Sequence, residues 1–176
     1  NRSCVMYNDF IVIGPKNDPA GIEDKKVKDA FEIISEKQVE FISRGDDSGT
    51  YKKETEIWNL TGTKPKGEWY KEVGAGMGDT IRIANEKLAY TLTDRGTYLS
   101  LKDKIDLVPL VEGDKILLNP YGAIAVNPKL NPNINYKGAM DFISWLMSEK
   151  TQRKIDSFKK DNETLFFSLK GECIGG

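Results

Sequence analysis

The octet at residues 43–50, SRGDDSGT, carries residue types that bind small anions. A run with strand character precedes it and a run with helical character follows it, so its last residues fall in the first turn of a helix. The N–H groups of that turn have no acceptor inside the helix and form a natural anion site. Gly49 lets the backbone approach a ligand, and Ser48 and Thr50 add hydroxyl donors. Arg44 supplies a planar, permanently charged guanidinium.

The same octet also has a structural explanation that involves no ligand. Asp47 or Ser48 can cap the following helix, and Arg44 can pair with Asp46 or Asp47. The residues alone leave both explanations open. They exclude a Walker phosphate loop, because no Gly-Lys-Ser or Gly-Lys-Thr sequence follows four residues after a glycine.

A second glycine-rich turn, GAGMG at residues 74–78, precedes a run with helical character at residues 79–88. It nearly fits the dinucleotide motif GxGxxG, with Asp94 as the distant acidic residue, but Asp79 stands where the third glycine is required. The preceding segment, GEWYKEV, is too polar for the buried strand of that motif. A second anion-facing helix N-terminus and an ordinary turn both stay open, with Asp79 as the expected N-cap.

The segment YTLTDRGT at residues 90–97 favours a structural role. Thr93 or Asp94 is a suitable N-cap for a helical turn, and Arg95 can pair with Asp94. Structural capping is therefore the preferred interpretation of this segment.

Apolar periodicity divides the chain into alternating strands and helices. Strands are predicted at residues 5–14, 39–43, 89–92, 105–112 and 116–126. Helices are predicted at residues 24–37, 51–60, 79–88, 137–148 and 151–159. Within the second helix, Trp58 and Leu60 are predicted to face the core. The alternation predicts an α/β fold with an at least partly parallel sheet.

Composition narrows the function further. The 176 residues include 26 basic and 27 acidic side chains, a net charge of −1, which counts against a nucleic-acid binder. The chain has no histidine, which excludes Ser-His-Asp and Cys-His catalysis and histidine-ligated zinc. No carboxylate pair has a spacing suited to acid–base chemistry, and neither a metal nor a cofactor is predicted.

The two cysteines, Cys4 and Cys173, lie near the two ends of the chain. Their spacing excludes a CxxC redox motif and a cysteine-rich zinc site. Two separate thiols are the first expectation. A disulfide bridge that closes almost the whole chain is the alternative.

Four segments, taken in order, resemble the extracytoplasmic tungstate-binding proteins of bacterial ABC importers: VMYNDFIVIGPKNDPAGI, FISRGDDSGTYKKETEIW, GAGMGDTIRIANEKLAYTLTDRGTYLSL and LVPLVEGDKILLNPYGAIAVNP. The resemblance runs from residue 5 to residue 146, and SRGDDSGT together with YTLTDRGT is its most specific part. Members begin with a strand and a Thr/Ser-rich loop that have no counterpart here. The first part of a complete member is therefore expected to be missing.

The resemblance implies the type II periplasmic-binding-protein fold, in which two hinged α/β lobes hold the ligand in the cleft between them. Residues 1–14 would form a hinge-crossing strand, with the crossings around 7–14 and 112–120. Residues 15–112 would form the second lobe and carry the anion-binding turns. Residues 113–176 would return and complete the C-terminal part of the first lobe, so one complete lobe and part of the other are expected.

The resemblance assigns ligand binding to guanidinium, hydroxyl and backbone donors of the two turns: Arg44, Ser48, Gly49, Thr50, Met77 and Gly78. The implied function is capture of a tetrahedral oxyanion, tungstate first and molybdate next, without chemistry and without a cofactor. The implied partners are the oxyanion and the membrane permease subunits of an ABC importer, with no nucleic acid. The implied location is the periplasm or the outer face of the cytoplasmic membrane, reached by secretion or through a lipid anchor.

Two alternative functions stay open. One is a ligand-sensing domain of a regulator built on the same fold. The other is a nucleotide-dependent enzyme that uses residues 74–78 as a phosphate loop.

The chain begins without an initiator methionine, so a processed or truncated chain is expected. The predicted helix at residues 137–148 would then expose part of its apolar face: Met140, Phe142, Ile143, Leu146 and Met147. Such a face is rarely left to water in a monomer. The chain is therefore expected to self-associate or to pack this face on its own second lobe, and to carry a half-built ligand site.

Overall fold

The computed structural model describes residues 2–131 and 133–174. The chain divides into two compact units. The longer unit is the continuous segment Asp9–Leu118, and the shorter unit combines the chain up to Asn8 with the chain from Asn119. Among the described residues, no helix has both the length and the apolar character needed to cross a membrane.

The longer unit alternates strands with helices. Its strands are the second half of β1 (Arg2–Gly14), β2 (Phe41–Ser43), β3 (Tyr70–Glu72), β4 (Thr91–Asp94) and β5 (Val108–Val111). Its helices are α1 (Val27–Lys37), α2 (Gly49–Thr61), α3 (Met77–Lys87) and α4 (Arg95–Leu101), with short 3-10 helices at Lys102–Lys104 and Lys115–Leu117. The predicted α/β class is confirmed.

Three strands of this unit run parallel and end at one edge of the sheet. Phe41 pairs with Tyr70 and Ser43 pairs with Glu72, which aligns β2 with β3. A parallel bridge joins Phe41 to Tyr90, the residue before β4. β4 then pairs antiparallel with β1, and β1 pairs antiparallel with β5. The strand order is therefore β3-β2-β4-β1-β5.

Aromatic rings from α1, α2 and β2 form the centre of the core. The rings of Phe31 and Trp58 lie 4.4 Å apart between centroids, and Phe41 lies 5.5 Å from each of them. The helix α1 buries one face because its apolar residues recur at helical spacing. That face consists of Val27, Ala30, Phe31 and Ile34.

The prediction that Leu60 faces the core is wrong. Trp58 is buried, whereas Leu60 is 49% exposed. Two residues that are two positions apart lie on nearly opposite faces of a helix, so both cannot point inward. The buried face of α2 instead follows Trp58 and consists of Thr50, Glu54, Ile57 and Trp58.

The shorter unit has its own elements. The first half of β1 pairs antiparallel with β9 (Phe167–Ser168), and β6 (Leu118–Ile124) also pairs with β1. The other elements of this unit are α5 (Tyr136–Met147), α6 (Glu149–Ser157), β7 (Lys159–Lys160) and β8 (Glu163–Thr164). The buried Asn8 accepts a hydrogen bond of 2.8 Å from the side-chain amide of Asn119, which ties the two segments of this unit together.

Cys4 and Cys173 form a disulfide bond, with their Cα atoms 5.2 Å apart. The first expectation, two separate thiols, is therefore wrong. The C-terminal segment reaches β1 because Leu165 and Leu169 are buried and because the N–H of Leu169 donates to the carbonyl of Val5 over 3.1 Å. These contacts are long-range and leave no local pattern in the sequence.

Helix α5 leaves much of its apolar surface in water. Phe142 is 57% and Trp145 55% exposed, and their rings stack with centroids 5.6 Å apart. Met140 is also exposed, whereas Ile143 is buried. The expected exposure of part of this face is therefore confirmed for Met140 and Phe142.

We predict that replacing both cysteines, Cys4→Ser with Cys173→Ser, lowers the free energy of unfolding by about 5 kcal/mol in the chain-entropy model. The reason is that the bond closes a loop with a sequence separation of 169 residues in the unfolded chain. Guanidinium titration of the oxidised protein and of the variant measures the difference. Reduction of the unaltered protein should reproduce the loss, and equal midpoints for oxidised and reduced protein would contradict the prediction.

Candidate functional site

Each of the parallel strands β2, β3 and β4 is followed by a helix within a few residues. α2 begins after β2, α3 after β3, and α4 directly after β4. Because the three strands are parallel and adjacent, the three helix N-termini follow the same edge of the sheet. In open α/β sheets this edge, at the carboxyl ends of the strands, is where ligands bind. Helix N-termini there favour anions.

The start of α2 leaves two backbone donors without a partner inside the helix. Ser48 is the N-cap, and its hydroxyl oxygen accepts the N–H of Tyr51 over 3.1 Å. The N–H of Ser48 itself donates to Asp46 Oδ1 over 3.1 Å. The N–H groups of Gly49 and Thr50 have no acceptor within α2, because they lie in the first turn of the helix. Capping by Ser48, one of the two caps considered from the sequence, is confirmed.

The guanidinium of Arg44 is only partly used by its neighbours. One terminal nitrogen lies 2.5 Å from Asp46 Oδ2, and the side chain is 18% exposed. Its Nε is buried and has no hydrogen-bond partner in the part of the chain that the structure describes. Asp47 pairs with Lys52 at the surface rather than with Arg44. The pairing of Arg44 with Asp46 coexists with a donor that still lacks an acceptor.

The loop that presents Arg44 is clamped to the segment after β3. The N–H of Val73 donates to the carbonyl of Ser43 over 3.0 Å, and the N–H of Gly74 donates to the carbonyl of Arg44 over 2.8 Å. Gly45 adopts a φ of +58°, and a Cβ there would lie 2.5 Å from Cβ of Glu72. Glycine is therefore required at position 45 by both backbone conformation and space.

Gly49 differs from Gly45 in its surroundings. A Cβ built on Gly49 meets no atom within 4 Å. Packing of the described residues therefore does not require glycine here. A glycine at position 49 would instead serve to let the backbone approach a ligand closely.

Glu54, which the sequence did not single out, lies beneath the loop. Its side chain is 1% exposed and accepts hydrogen bonds from Ser43 Oγ over 2.8 Å, Trp58 Nε1 over 3.1 Å and Tyr70 Oη over 2.8 Å. Burial raises the pKa of its carboxyl group to about 7. The available signal was its place in a stripe with Thr50, Ile57 and Trp58.

The start of α3 contributes a second set of backbone N–H groups. Its N-cap is Gly76, which makes no side-chain cap, and Met77 and Gly78 follow as the first helical residues. Met77 is buried, and Gly78 is half-buried. The prediction that Asp79 is the N-cap is wrong. The helix begins two residues earlier, and Asp79 pairs with Arg82 over 2.6 Å.

A dinucleotide site at this turn has little structural basis. The preceding strand β3 is three residues long, and two of its three residues are exposed. Asp94 caps α4 by accepting the N–H of Thr97 over 2.8 Å. A carboxylate used in this way explains its presence without a ribose ligand.

Arg95 pairs with Asp9 and Glu112, two partners that the sequence did not single out. Its Nε and one terminal nitrogen donate to the two oxygens of Asp9 over 2.8 and 2.6 Å. The same terminal nitrogen donates to Glu112 over 2.8 Å. The hydrogen bonds that Arg95 donates to Asp9 are the main reason that its pKa lies above its ordinary value. These partners lie 86 and 17 positions away in sequence, so proximity along the chain does not reveal them.

The structure therefore brings Arg44, Ser48, Gly49 and Thr50 together in one loop and helix start. Met77 and Gly78 lie at the next helix start, which the bond between Gly74 and Arg44 ties to that loop. Within residues 2–131 and 133–174, no group of three histidine, cysteine, aspartate or glutamate side chains is arranged to hold a metal ion. The arrangement offers hydrogen-bond donors and one guanidinium to an anion.

The chain matches a known family over most of its length. Residues 1–150 match a model described as a PBP superfamily domain. The chain is 48% identical over 173 residues to a putative ABC transporter anion-binding protein of Haloferax volcanii, an alignment that covers 95% of this chain and 51% of that protein. It is 49% identical over 163 residues to the tungstate-binding protein TupA of Peptoclostridium acidaminophilum, which covers 91% of this chain and 57% of that protein.

A solved structure agrees with this similarity. The tungstate-binding protein TupA from Desulfovibrio alaskensis superimposes with a TM-score of 0.88 at 43% sequence identity, covering 96% of this chain and 70% of that one. The chain thus spans between 51% and 57% of the length of the two curated relatives above.

We predict opposite effects for alanine at the two glycines of the octet. Gly45→Ala should lower the free energy of unfolding by roughly 1–3 kcal/mol, because the new Cβ is strained at positive φ and collides with Glu72. Gly49→Ala, the matched control, should leave stability unchanged or raise it by about 0.5 kcal/mol. Denaturant titration of both variants measures this. A Gly45→Ala variant as stable as the unaltered protein would show that the loop has another conformation.

Proposed function

Because this chain belongs to the PBP superfamily, we propose that it is the anion-binding portion of the substrate-binding component of an ABC importer. The proposed ligand is a tetrahedral oxyanion, tungstate first and molybdate second. Two of the similar proteins are named as tungstate-binding and one as an ABC transporter anion-binding protein, which supports this choice. These names support transport, so neither the regulator nor the enzyme is proposed. The ion is captured without chemistry and without a cofactor.

The observation that carries the proposal is the set of unused donors around Arg44. Its buried Nε lacks a partner among the described residues, and the N–H groups of Gly49 and Thr50 lie in the first turn of the adjoining helix. A tetrahedral dianion needs several donors that converge on it and little surrounding water. A guanidinium also presents its N–H groups as a fork that matches two oxygens of one anion.

The pairing of Arg44 with Asp46 is compatible with this role. A guanidinium has five N–H groups, and the contact with Asp46 uses one terminal nitrogen. The carboxylate therefore orients the side chain while Nε remains for a ligand. Asp46 also accepts the N–H of Ser48, so the same residue holds both the arginine and the helix cap in place.

The remaining assigned residues extend the same donor set. Ser48 and Thr50 contribute hydroxyl groups, and the space next to Gly49 lets the backbone come close to the ion. Met77 and Gly78 contribute N–H groups from the first turn of α3. Their contribution is proposed as the weaker one, because α3 carries no arginine comparable to Arg44 at its N-terminus.

The proposed location is outside the cytoplasm, in the periplasm or at the outer face of the cytoplasmic membrane, by secretion or lipid anchoring. The disulfide between Cys4 and Cys173 supports this location, because disulfides persist in oxidising compartments. The proposed partners are the permease subunits of the importer. No nucleic acid is proposed, in agreement with the net charge of −1.

The proposed lobes follow the division of the chain. Residues 15–112 lie inside the longer unit and carry all the assigned ligand-binding residues. The chain passes from one unit to the other between Asn8 and Asp9 and again between Leu118 and Asn119, within the segments assigned to hinge crossings. This connectivity supports the proposed lobe boundaries.

We predict that Arg44→Ala in the full-length protein weakens tungstate binding by about 10- to 150-fold, since a hydrogen bond to a charged group contributes roughly 1.5–3 kcal/mol. Arg44→Lys should recover only part of the affinity, because the planar fork is lost. Isothermal titration calorimetry gives the dissociation constants. Arg153→Ala is the control, since Arg153 also pairs with a carboxylate, Glu149, but lies in the shorter unit. An unchanged constant for Arg44→Ala would refute the site assignment.

We further propose that the 176-residue chain self-associates through the exposed face of α5. Phe142 and Trp145 expose more than half of their side chains on this face. Light scattering should give a mass above the 19.8 kDa of one chain, and Phe142→Ser with Trp145→Ser should restore that mass. Leu60→Ser, which removes an exposed leucine from the other unit, should leave the association intact. A monomeric unaltered chain would contradict this proposal.

A further inference from the structure

The buried carboxyl group of Glu54 lies one helical turn after Thr50 on the same face of α2. Thr50 belongs to the proposed anion site, and Glu54 is among the least exposed charged residues that the structure describes. A charged side chain in this environment is costly unless it is paired or hydrogen-bonded. Its position next to an anion site therefore requires an explanation.

Three donors satisfy Glu54, and none of them is a cation. Ser43, Trp58 and Tyr70 donate to its two oxygens. The oxygen of Ser43 in turn accepts the N–H of Gly45 over 3.2 Å. A continuous chain of hydrogen bonds therefore runs from Glu54 through Ser43 to the backbone next to Arg44.

Among the described residues, the titratable groups that act on Glu54 come from β3 and from α2 itself. β3 contributes Tyr70 and Glu72, and α2 contributes Tyr51. Burial raises the pKa of Glu54 to about 7, with the charge of Glu72 as a further, smaller cause. The pKa values of Tyr51 and Tyr70 lie above their ordinary values, so neither titrates near neutrality.

We propose that Glu54 is a positioning residue that couples anion binding at the Arg44 loop to the uptake of one proton, a coupling that rests on the oxyanion-binding function proposed above. An anion at the loop repels the buried carboxylate through a medium of low dielectric constant. Protonation removes this repulsion. The protonated carboxyl can donate to Ser43 Oγ, which still accepts the N–H of Gly45 and turns its own hydroxyl proton to Tyr70 Oη.

The direction of the pH dependence follows from linkage. Bound anion favours the protonated form, so the midpoint of Glu54 titration is higher in the complex than in the free protein. Affinity is then greatest below the free midpoint and falls as pH rises through both midpoints. If the midpoint rises by about one pH unit, affinity falls by about tenfold between pH 6 and pH 9. The chain contains no histidine to contribute in this range.

The test uses the full-length protein labelled with ¹³C at the glutamate side-chain carboxyl carbons. NMR follows the carboxyl signal that disappears in Glu54→Gln, first without ligand and then with saturating sodium tungstate. Calorimetry in buffers of different ionisation enthalpy counts the protons taken up on binding. Glutamine is close to protonated glutamate in size, so Glu54→Gln should fold and bind with a flat pH profile. Glu72→Gln, which removes a nearby exposed charge, is the control and should retain the pH dependence with a slightly lower midpoint.

The outcomes separate this inference from the proposed function. A Glu54 signal that titrates near pH 7 without ligand, and at higher pH with tungstate, supports the coupling. A signal that titrates at the same pH with and without bound tungstate overturns the coupling and leaves the binding function intact. Absence of any tungstate binding overturns both. Equal pH dependence of affinity in Glu54→Gln and in the unaltered protein also overturns the coupling, whatever the NMR shows.

Discussion

The three-residue strand β2 is hydrogen-bonded on both sides, and the position of the candidate site depends on those bonds. Phe41 donates its N–H to Trp69, Ile42 donates to Tyr90, and the carbonyl of Ser43 accepts the N–H of Val73. A strand held by neighbours on both sides cannot slide without exposing unpaired polar groups. The end of β2 fixes the loop with Arg44, and the loop fixes the start of α2. A slip of one residue in β2 would also exchange its two faces, moving the Phe41 ring away from Phe31 and Trp58.

Much of the fold and of the candidate site could be predicted from the sequence, because the patterns that mark helices and their caps are local. Apolar spacing identified α1, α2, α3 and α5. Small polar residues indicated caps at Asp47 or Ser48 and at Thr93 or Asp94, and the caps in the structure are Ser48 and Asp94. The rest depends on contacts between distant residues. Asp9 and Arg95 are 86 positions apart, and nothing near either residue encodes their pairing. The same holds for the two cysteines, because disulfide formation depends on where both chain ends lie after folding.

Glu54 escaped prediction for a different reason. In the sequence YKKETEIWNL it is one of several charged residues, and charged residues on a helix usually face water. Its burial depends on hydrogen bonds from Ser43 in β2 and Tyr70 in β3, which are not near it in sequence. A core glutamate costs stability relative to an apolar side chain of similar size. Proteins retain such costs at sites where function requires a particular charge or hydrogen bond.

The order of the two units along the chain affects how the protein unfolds. The longer unit is an insertion into the shorter one, whose two segments lie before Asp9 and after Leu118. If the longer unit unfolded on its own, the two segments of the shorter unit would be connected only by a long, flexible chain. Without a covalent bond between them, they would tend to separate. The bond between Cys4 and Cys173 joins those segments directly. The shorter unit can therefore stay folded while the longer unit unfolds, and the longer unit can refold from it.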